Sequence, residues 1–244
     1  MHEMVVILRR ELKSYFLSPI AYVFGGLFLA AMMYFGTDRL FTPRGPARLD
    51  SFFGNFPFLF LLFLPALTMR LWAEERKQGT LELLMTFPVT VAQLIAGKFV
   101  AALSFLAVLL LLTFGLPVTI GMFGELDWGP VLCAYLAALL MSGAYIAVGM
   151  FCSSLSRDQI IALLVALIVL LALYLLGTPM VLVNLGGYLP EWMAAILGGL
   201  SPYAYFSSIA RGVFDTRDFI YYLCFCGFFL YANALVLNGR RVRG

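Results

Sequence analysis

The charged residues with the greatest potential for chemistry lie between Met69 and Lys98. Gly97 and Lys98 match the end of the phosphate-binding motif G-x-x-x-x-G-K-[ST], whose glycines expose backbone amides and whose hydroxyl holds magnesium. Here Phe99 follows the lysine and Ala92 stands where the first glycine is required. The segment is therefore not a Walker A loop.

Other catalytic arrangements also lack support. Glu74 and Glu75 are adjacent, and on a helix adjacent side chains point about 100° apart, unlike the two groups of a carboxylate pair. His2 is the sole histidine, and neither H-E-x-x-H nor G-x-S-x-G occurs, so protease or esterase activity is not indicated. The cysteines lie in apolar runs, which favours small core side chains over a disulfide or metal site (Cys133, Cys152, Cys224, Cys226). We expect no catalytic, metal or cofactor site in this chain.

Composition predicts that these residues sit in a membrane protein. Of 244 residues, 63% are hydrophobic and 12% are charged, whereas a soluble domain carries about 25% charged residues. The net charge of +3 gives no electrostatic support for nucleic-acid binding. We expect an all-α polytopic protein with a single transmembrane domain over residues 1–244.

Six apolar segments approach the length of about 20 residues that a membrane helix needs. They are Ile20 to Phe35, Phe56 to Trp72, Phe99 to Gly121, Val131 to Cys152, Ile160 to Val183 and Phe219 to Leu237. Pro65, Pro117 and Pro179 lie within or near the ends of spans, where kinks are expected. With six spans, 11 of the 16 lysines and arginines fall on the side of the N-terminus. The positive-inside rule therefore predicts a multi-pass protein with both termini in the cytoplasm. The first loop is a local exception to the rule, because it carries three arginines on the predicted outer side (Arg39, Arg44, Arg48).

The first 18 residues predict an amphipathic helix that ends before Pro19. Apolar residues recur at helical spacing, and Arg9, Arg10, Glu11 and Lys13 add charge. Such a helix is typical of an interfacial elbow on the cytoplasmic side, with membrane lipid as its partner. The alternatives are a charged extension of the first span and a cleaved signal peptide, although the n-region is long for the latter.

The polar stretch from Met69 to Lys98 lies between the second and third spans, and we call it the polar island. Its sequence predicts a short helix of unusual composition. Gly79 breaks the charged run, Thr80 can cap a new helix, and Glu82 lies in its first turn. That helix is apolar and is stopped by Pro88 (Leu83, Leu84, Met85, Phe87). Thr90 and Gln93 then form a capping-box pattern. A greasy capped helix favours insertion into a partner's groove; the alternative is a helix that rests on headgroups with no partner.

A family resemblance is carried by three blocks. Residues 74–98, EERKQGTLELLMTFPVTVAQLIAGK, resemble the cytoplasmic loop of type-2 ABC exporter permeases, especially the gliding-motility-type branch. The ending is similar to the same branch, and so is the N-terminal block Arg10-Glu11-Leu12, Tyr15-Phe16, Ser18-Pro19. The matching residues of the ending are Ser201, Pro202, Tyr203, Ala210, Arg211, Gly212, Val213, Asp215, Arg217 and Asp218.

The resemblance implies a permease subunit of an ATP-driven exporter in the bacterial cytoplasmic membrane. It implies that Thr80 to Phe87 form a coupling helix, which docks with the flanking residues from Glu74 to Pro88 on a separate ABC ATPase. That ATPase would bind ATP and Mg. Residues 185–218 would form short extracytoplasmic helices. A second copy or a related permease, including one with a large extracytoplasmic domain, would complete the assembly. The alternative is a force-transmitting or assembly scaffold that translocates nothing.

A proton-coupled transporter would need an ionisable residue near the midplane of a span, and no span has one. Uncharged interiors favour a lipidic or amphipathic cargo.

Overall fold

A computed structural model describes residues 2–37, 49–80, 90–123, 126–186, 190–212 and 215–241. Within these ranges the chain forms helices and no strand. In chain order they are α1 (His2–Leu17), α2 (Pro19–Thr37), α3 (Asp50–Gly54), α4 (Phe56–Thr68), α5 (Arg70–Lys77), α6 (Val91–Thr113), α7 (Gly115–Phe123), α8 (Trp128–Leu155), α9 (Gln159–Leu176), α10 (Pro179–Gly186), α11 (Glu191–Gly199), α12 (Pro202–Ile209) and α13 (Thr216–Arg241).

Five helical stretches in the described ranges are long and apolar enough to cross a membrane. They are Phe52–Lys77, Val91–Met122, Trp128–Leu155, Gln159–Leu176 and Thr216–Gly239. A sixth is added if α1 and α2, which meet at an angle of 71°, count as one bent span. The expectation of an all-α polytopic membrane protein is confirmed.

The predicted end of the fifth span was wrong. The helix was expected to reach Val183, but it ends at Leu176, and Gly177 forms the cap. Pro179, expected to produce a kink, instead begins α10. Proline suits the first turn of a helix because the amide proton that it lacks would have no partner there.

Helix α8 is the centre of the bundle and packs against α4, α5, α6, α9, α12 and α13. Residues 141–150 of α8 are all buried. Small residues on this helix let neighbouring helices approach closely. At Gly149 there is no room for a Cβ atom, because the Thr68 side chain of α4 lies against the glycine. Helices α4 and α5 are therefore held directly on the middle and end of α8.

Candidate functional site

Helix α5 continues the second span and carries the charged half of the predicted island. Leu71, Trp72 and Ala73 in the first turn of α5 are buried, whereas Lys77 and Gln78 at its end are exposed. The helix ends at Lys77, and Gly79 adopts a φ of +70°. This left-handed conformation favours glycine, so the break that the sequence predicts at Gly79 is confirmed.

Three charged side chains from three different helices meet at Lys98, and we call Glu11, Glu75 and Lys98 the Lys98 cluster. The Lys98 Nζ atom lies 3.1 Å from Glu11 Oε1 and 2.8 Å from Glu75 Oε1. Lys98 is only 2% exposed. A buried ammonium group is costly unless it is paired and hydrogen-bonded, and here two carboxylates accept its hydrogen bonds. The Lys98 cluster therefore joins α1, α5 and α6 at one buried point.

Trp72 closes one side of the Lys98 cluster. Its ring centroid lies 5.1 Å from Lys98 Nζ, within the range of a cation–π interaction. The ring is fully buried. Within the described ranges, Glu75 Oε2 has no hydrogen-bond partner. The negative charge of Glu75 therefore depends on Lys98 for much of its compensation.

A single hydroxyl on α8 holds the junction between α4 and α5. Ser153 Oγ donates a hydrogen bond to the Met69 carbonyl oxygen, at 2.8 Å. It also accepts hydrogen bonds from the backbone amides of Trp72 and Ala73, at 3.1 and 3.2 Å. Ser153 is fully buried, so water does not compete for these bonds. The start of α5 is thus fixed to the end of α8.

Arg76 makes a second connection from α5 to α8. Its Nη1 atom donates hydrogen bonds to the carbonyl oxygens of Ser154 and Ser156, at 3.1 and 2.7 Å. These carbonyls lie at the end of α8, where carbonyl groups have no partner within the helix and the helix dipole favours a cation. Arg76 therefore packs against the transmembrane domain.

The junction gives the first testable prediction. Ser153→Ala removes a hydroxyl that serves three backbone groups, so we expect a loss of about 1–2 kcal/mol in unfolding free energy. The melting temperature of the purified protein in detergent should fall by about 3 °C or more. Ser154→Ala is the matched control, because the Ser154 hydroxyl donates to the Phe151 carbonyl of its own helix. Equal melting temperatures for the two variants would contradict this account of the junction.

The apolar part of the predicted docking helix lies outside the described ranges, which stop at Thr80 and resume at Thr90. Its apolar members are Leu83, Leu84, Met85 and Phe87, and Glu82 and Pro88 lie outside the described ranges with them. Thr80 donates a hydrogen bond from Oγ1 to the Glu75 carbonyl oxygen, at 3.3 Å, and Glu74 accepts one from Gln78. On the far side, Thr90 and Gln93 form the predicted capping box at the start of α6, which is confirmed. The docking role of the whole segment stays a prediction.

The N-terminal helix α1 runs alongside α6. Ile7 meets Gly97 so closely that a Cβ atom on the glycine would lie 2.8 Å from the isoleucine, and the Tyr15 ring stacks on Phe105 at 5.3 Å between centroids. Arg9, Arg10 and Lys13 are exposed, whereas Glu11 faces the Lys98 cluster. The predicted elbow is thus a helix attached to α6, and its position in the membrane interface stays a prediction.

The predicted extracytoplasmic residues surround α12. Ser201 caps α12, is fully buried and leaves no room for a Cβ atom on Gly177. Pro202 begins the helix, and its carbonyl oxygen accepts a hydrogen bond from the Tyr222 hydroxyl at 2.6 Å. After α12, Arg211 and Arg217 are exposed, and Gly212 adopts a φ of +86°. At the start of the last span, Asp215 accepts a hydrogen bond from the Arg217 amide, and Asp218 is buried. These residues pack the segment before the last span onto α9 and α13.

A comparison with known protein families matches most of the chain. A family model described as ABC-2 family transporter protein matches residues 18–230. The chain belongs to the ABC-2 family. This ABC-2 protein is therefore a multi-pass membrane component of an ABC transporter, a permease and not the ATPase, and the family generally works with ABC ATPase partners. Among curated proteins, none shows significant similarity to it.

The pairing of Glu11 and Glu75 with Lys98 in this ABC-2 protein was missed in the sequence. All three residues lie in the blocks that carry the family resemblance, but Glu11 was assigned to the elbow and Glu75 to the docking segment, and Lys98 was considered only as part of a phosphate-binding motif. A signal was available, since charged residues beside membrane spans need partners. Lys98 sits seven residues inside α6, and in the predicted topology the acidic residues on the same side are glutamates of the first two segments and Asp158. Ser153 carried no such signal.

Proposed function

We propose that this chain is the permease subunit of an ATP-driven exporter of the gliding-motility-type branch, in the bacterial cytoplasmic membrane. In this proposal a separate ABC ATPase holds ATP and Mg and docks on the segment from Glu74 to Pro88. Two permeases form the membrane path, either two copies of this chain or this chain with a related permease that carries a large extracytoplasmic domain. The ATPase dimer closes on ATP, and the chain itself does no chemistry.

The observation that carries the proposal is the set of buried connections on α5. The docking segment begins with the last four residues of α5 and continues beyond it, so a displacement of that segment acts first on α5. Helix α5 is joined to α1 and α6 through Lys98, and to α8 through Ser153 and Arg76. A push on the segment would therefore move four helices together, as in a rigid-body transition between two packed states.

The direction of transport and the class of cargo follow from the same proposal. ATP binding biases the permease pair between two arrangements, in which a path or lateral cleft is exposed to different sides. The spans carry no ionisable residue near the bilayer midplane, which favours a lipidic or amphipathic cargo over a small ion. Export, rather than uptake, is taken from the family resemblance.

Topology provides the test of this proposal. In a background with the four native cysteines changed to serine, we expect Gln78→Cys and Asn238→Cys to be shielded from an impermeant thiol reagent in intact cells. Gly45→Cys and Gly187→Cys should be labelled, because they follow the first and fifth spans on the opposite side. The measurement is the labelled fraction before and after the cells are permeabilised.

Permeabilised cells serve as the control, since all four cysteines should then react if the protein is intact. Labelling of Gln78→Cys in intact cells would place the docking segment outside the cell, beyond the reach of a cytoplasmic ATPase. That result would end the proposal, whatever the other positions show.

A further inference from the structure

An apolar groove of about 280 Å³ opens where α1 turns into α2. Tyr15 and Phe16 of α1 form one end, and the first turns of α2 and the last turns of α6 form the walls. The groove is open on one side, where Tyr22 is 65% exposed and Leu112 is 58% exposed. Its volume is close to the lower end of the range for small-molecule pockets. The groove therefore has room for a slender apolar ligand.

Two glycines shape the groove. A Cβ atom on Gly25 would lie 3.0 Å from Leu109, so glycine lets α2 approach α6 closely at this point. A Cβ atom on the neighbouring Gly26 would meet nothing within 4 Å. The space beside Gly26 is thus a gap that a larger side chain would fill without a clash. An unfilled apolar gap on a lipid-facing surface is the shape that an acyl chain can occupy.

The depth of the groove matches one leaflet. Its walls on α2 extend from Ala21 to Leu29, which is a rise of about 12 Å along a helix. The hydrocarbon core of a bilayer is about 30 Å thick. If α2 crosses the bilayer from the side of α1, as in the proposed topology, the length of the groove corresponds to most of one leaflet.

Two exposed cations share a side of α1 with Phe16, a residue that lines the groove. Arg9, Lys13 and Phe16 are spaced at i, i+4 and i+7, so they share one side of α1. Arg9 and Lys13 are exposed, and Phe16 lines the groove. A chain that enters the groove beside Phe16 would bring its headgroup under these two cations, where a negative charge is favoured.

We propose that the groove binds one acyl chain of an anionic phospholipid, whose phosphate is held by Arg9 and Lys13. The bound lipid fills the angle between α1 and α2 and stabilises the bend against the bilayer. This site does not depend on the docking of an ATPase. The occupant is a lipid of the surrounding leaflet, since the walls are apolar and the exposed Arg9 and Lys13, on the side of α1 that carries Phe16, complement an anionic headgroup.

The test is a lipid titration of the full-length chain, purified in detergent and followed by native mass spectrometry. We expect dioleoyl-phosphatidylglycerol to bind at least about tenfold more tightly than dioleoyl-phosphatidylcholine, because each cation near an anionic headgroup adds favourable energy. Gly26→Leu fills the groove and should weaken phosphatidylglycerol binding about tenfold. Gly227→Leu is the matched control, since a Cβ atom on this α13 glycine also meets nothing within 4 Å.

The charge is tested separately from the groove. Arg9→Gln with Lys13→Gln should reduce the preference for phosphatidylglycerol to about twofold or less, whereas Arg157→Gln, at another exposed cation, should leave it unchanged. If Gly26→Leu does not fold, Val108→Trp fills the groove from α6 instead. Wild-type binding by the folded groove variant, a preference that persists without Arg9 and Lys13, or a loss of dimers rather than of lipid in Gly26→Leu would each overturn the proposal.

Discussion

Lys98→Met is expected to be among the most destabilising single substitutions in this protein. It removes the cation that lies 3.1 Å from Glu11 and 2.8 Å from Glu75, and it leaves two mostly buried carboxylates together. Removal of one partner of a buried ion pair costs about 3–5 kcal/mol, since the remaining charge is uncompensated. For a chain of this size the melting temperature should fall by about 6 °C or more. The measurement is thermal unfolding of the purified protein in detergent.

Two further variants separate the ion pair from a general effect of the substitution. Lys77→Met is the matched control, because Lys77 is exposed at the end of α5, and its melting temperature should stay within about 2 °C of wild type. Glu11→Gln and Glu75→Gln, added to Lys98→Met, remove the uncompensated charges and should restore more than half of the loss. A wild-type melting temperature for Lys98→Met would show that the Lys98 cluster does not hold α1, α5 and α6 together.

Leu84→Asp is expected to separate the permease from its ATPase without an effect on membrane insertion. Leu84 lies in the apolar part of the proposed docking segment, and an aspartate in a desolvated helix-in-groove contact would be buried without a partner. We expect the ATPase that copurifies with a tagged permease to fall at least about tenfold, while the amount of permease in the membrane is unchanged. The measurement is quantitative copurification, together with the ATP hydrolysis rate of the recovered complex.

Leu155→Asp provides the control for Leu84→Asp. Leu155 is a leucine at the end of α8 that is 47% exposed, on the same side of the membrane in the proposed topology and outside the docking segment. Copurification of the ATPase should stay near wild type in this variant. Equal losses in both variants would mean that an added charge, rather than the docking segment, disrupts the complex.

The spans and helix signals could be predicted from the sequence because they depend on local patterns. Apolar runs of about 20 residues mark helices that the bilayer requires. The capping box of Thr90 and Gln93 and the break at Gly79 were also predicted, since each depends on residues within one helical turn. The end of the fifth span was missed, because Gly177 and Pro179 are compatible with either a kink or a break.

The orientation of side chains on α5 could not be predicted, because it depends on the packing of distant helices. Glu75 and Arg76 were assigned to the docking surface together with Glu74. In the structure, Glu75 faces Lys98, and Arg76 reaches the end of α8, 78 residues further along the chain. Neither contact follows from the spacing within the island. The sequence could therefore not tell which charged residues of this region pair within the chain.

A photo-crosslink from the docking segment tests the central claim most directly. The crosslinking amino acid benzoylphenylalanine is placed at Leu84 in one permease and at Leu155 in another, in complexes purified with the ATPase. We predict an adduct with the ATPase from Leu84, with a yield that changes when ATP and Mg are added, and little adduct from Leu155. If the ATPase copurifies but forms no adduct at Leu84, the segment is not the docking site, and the proposed route from ATP through α5 to the bundle is contradicted.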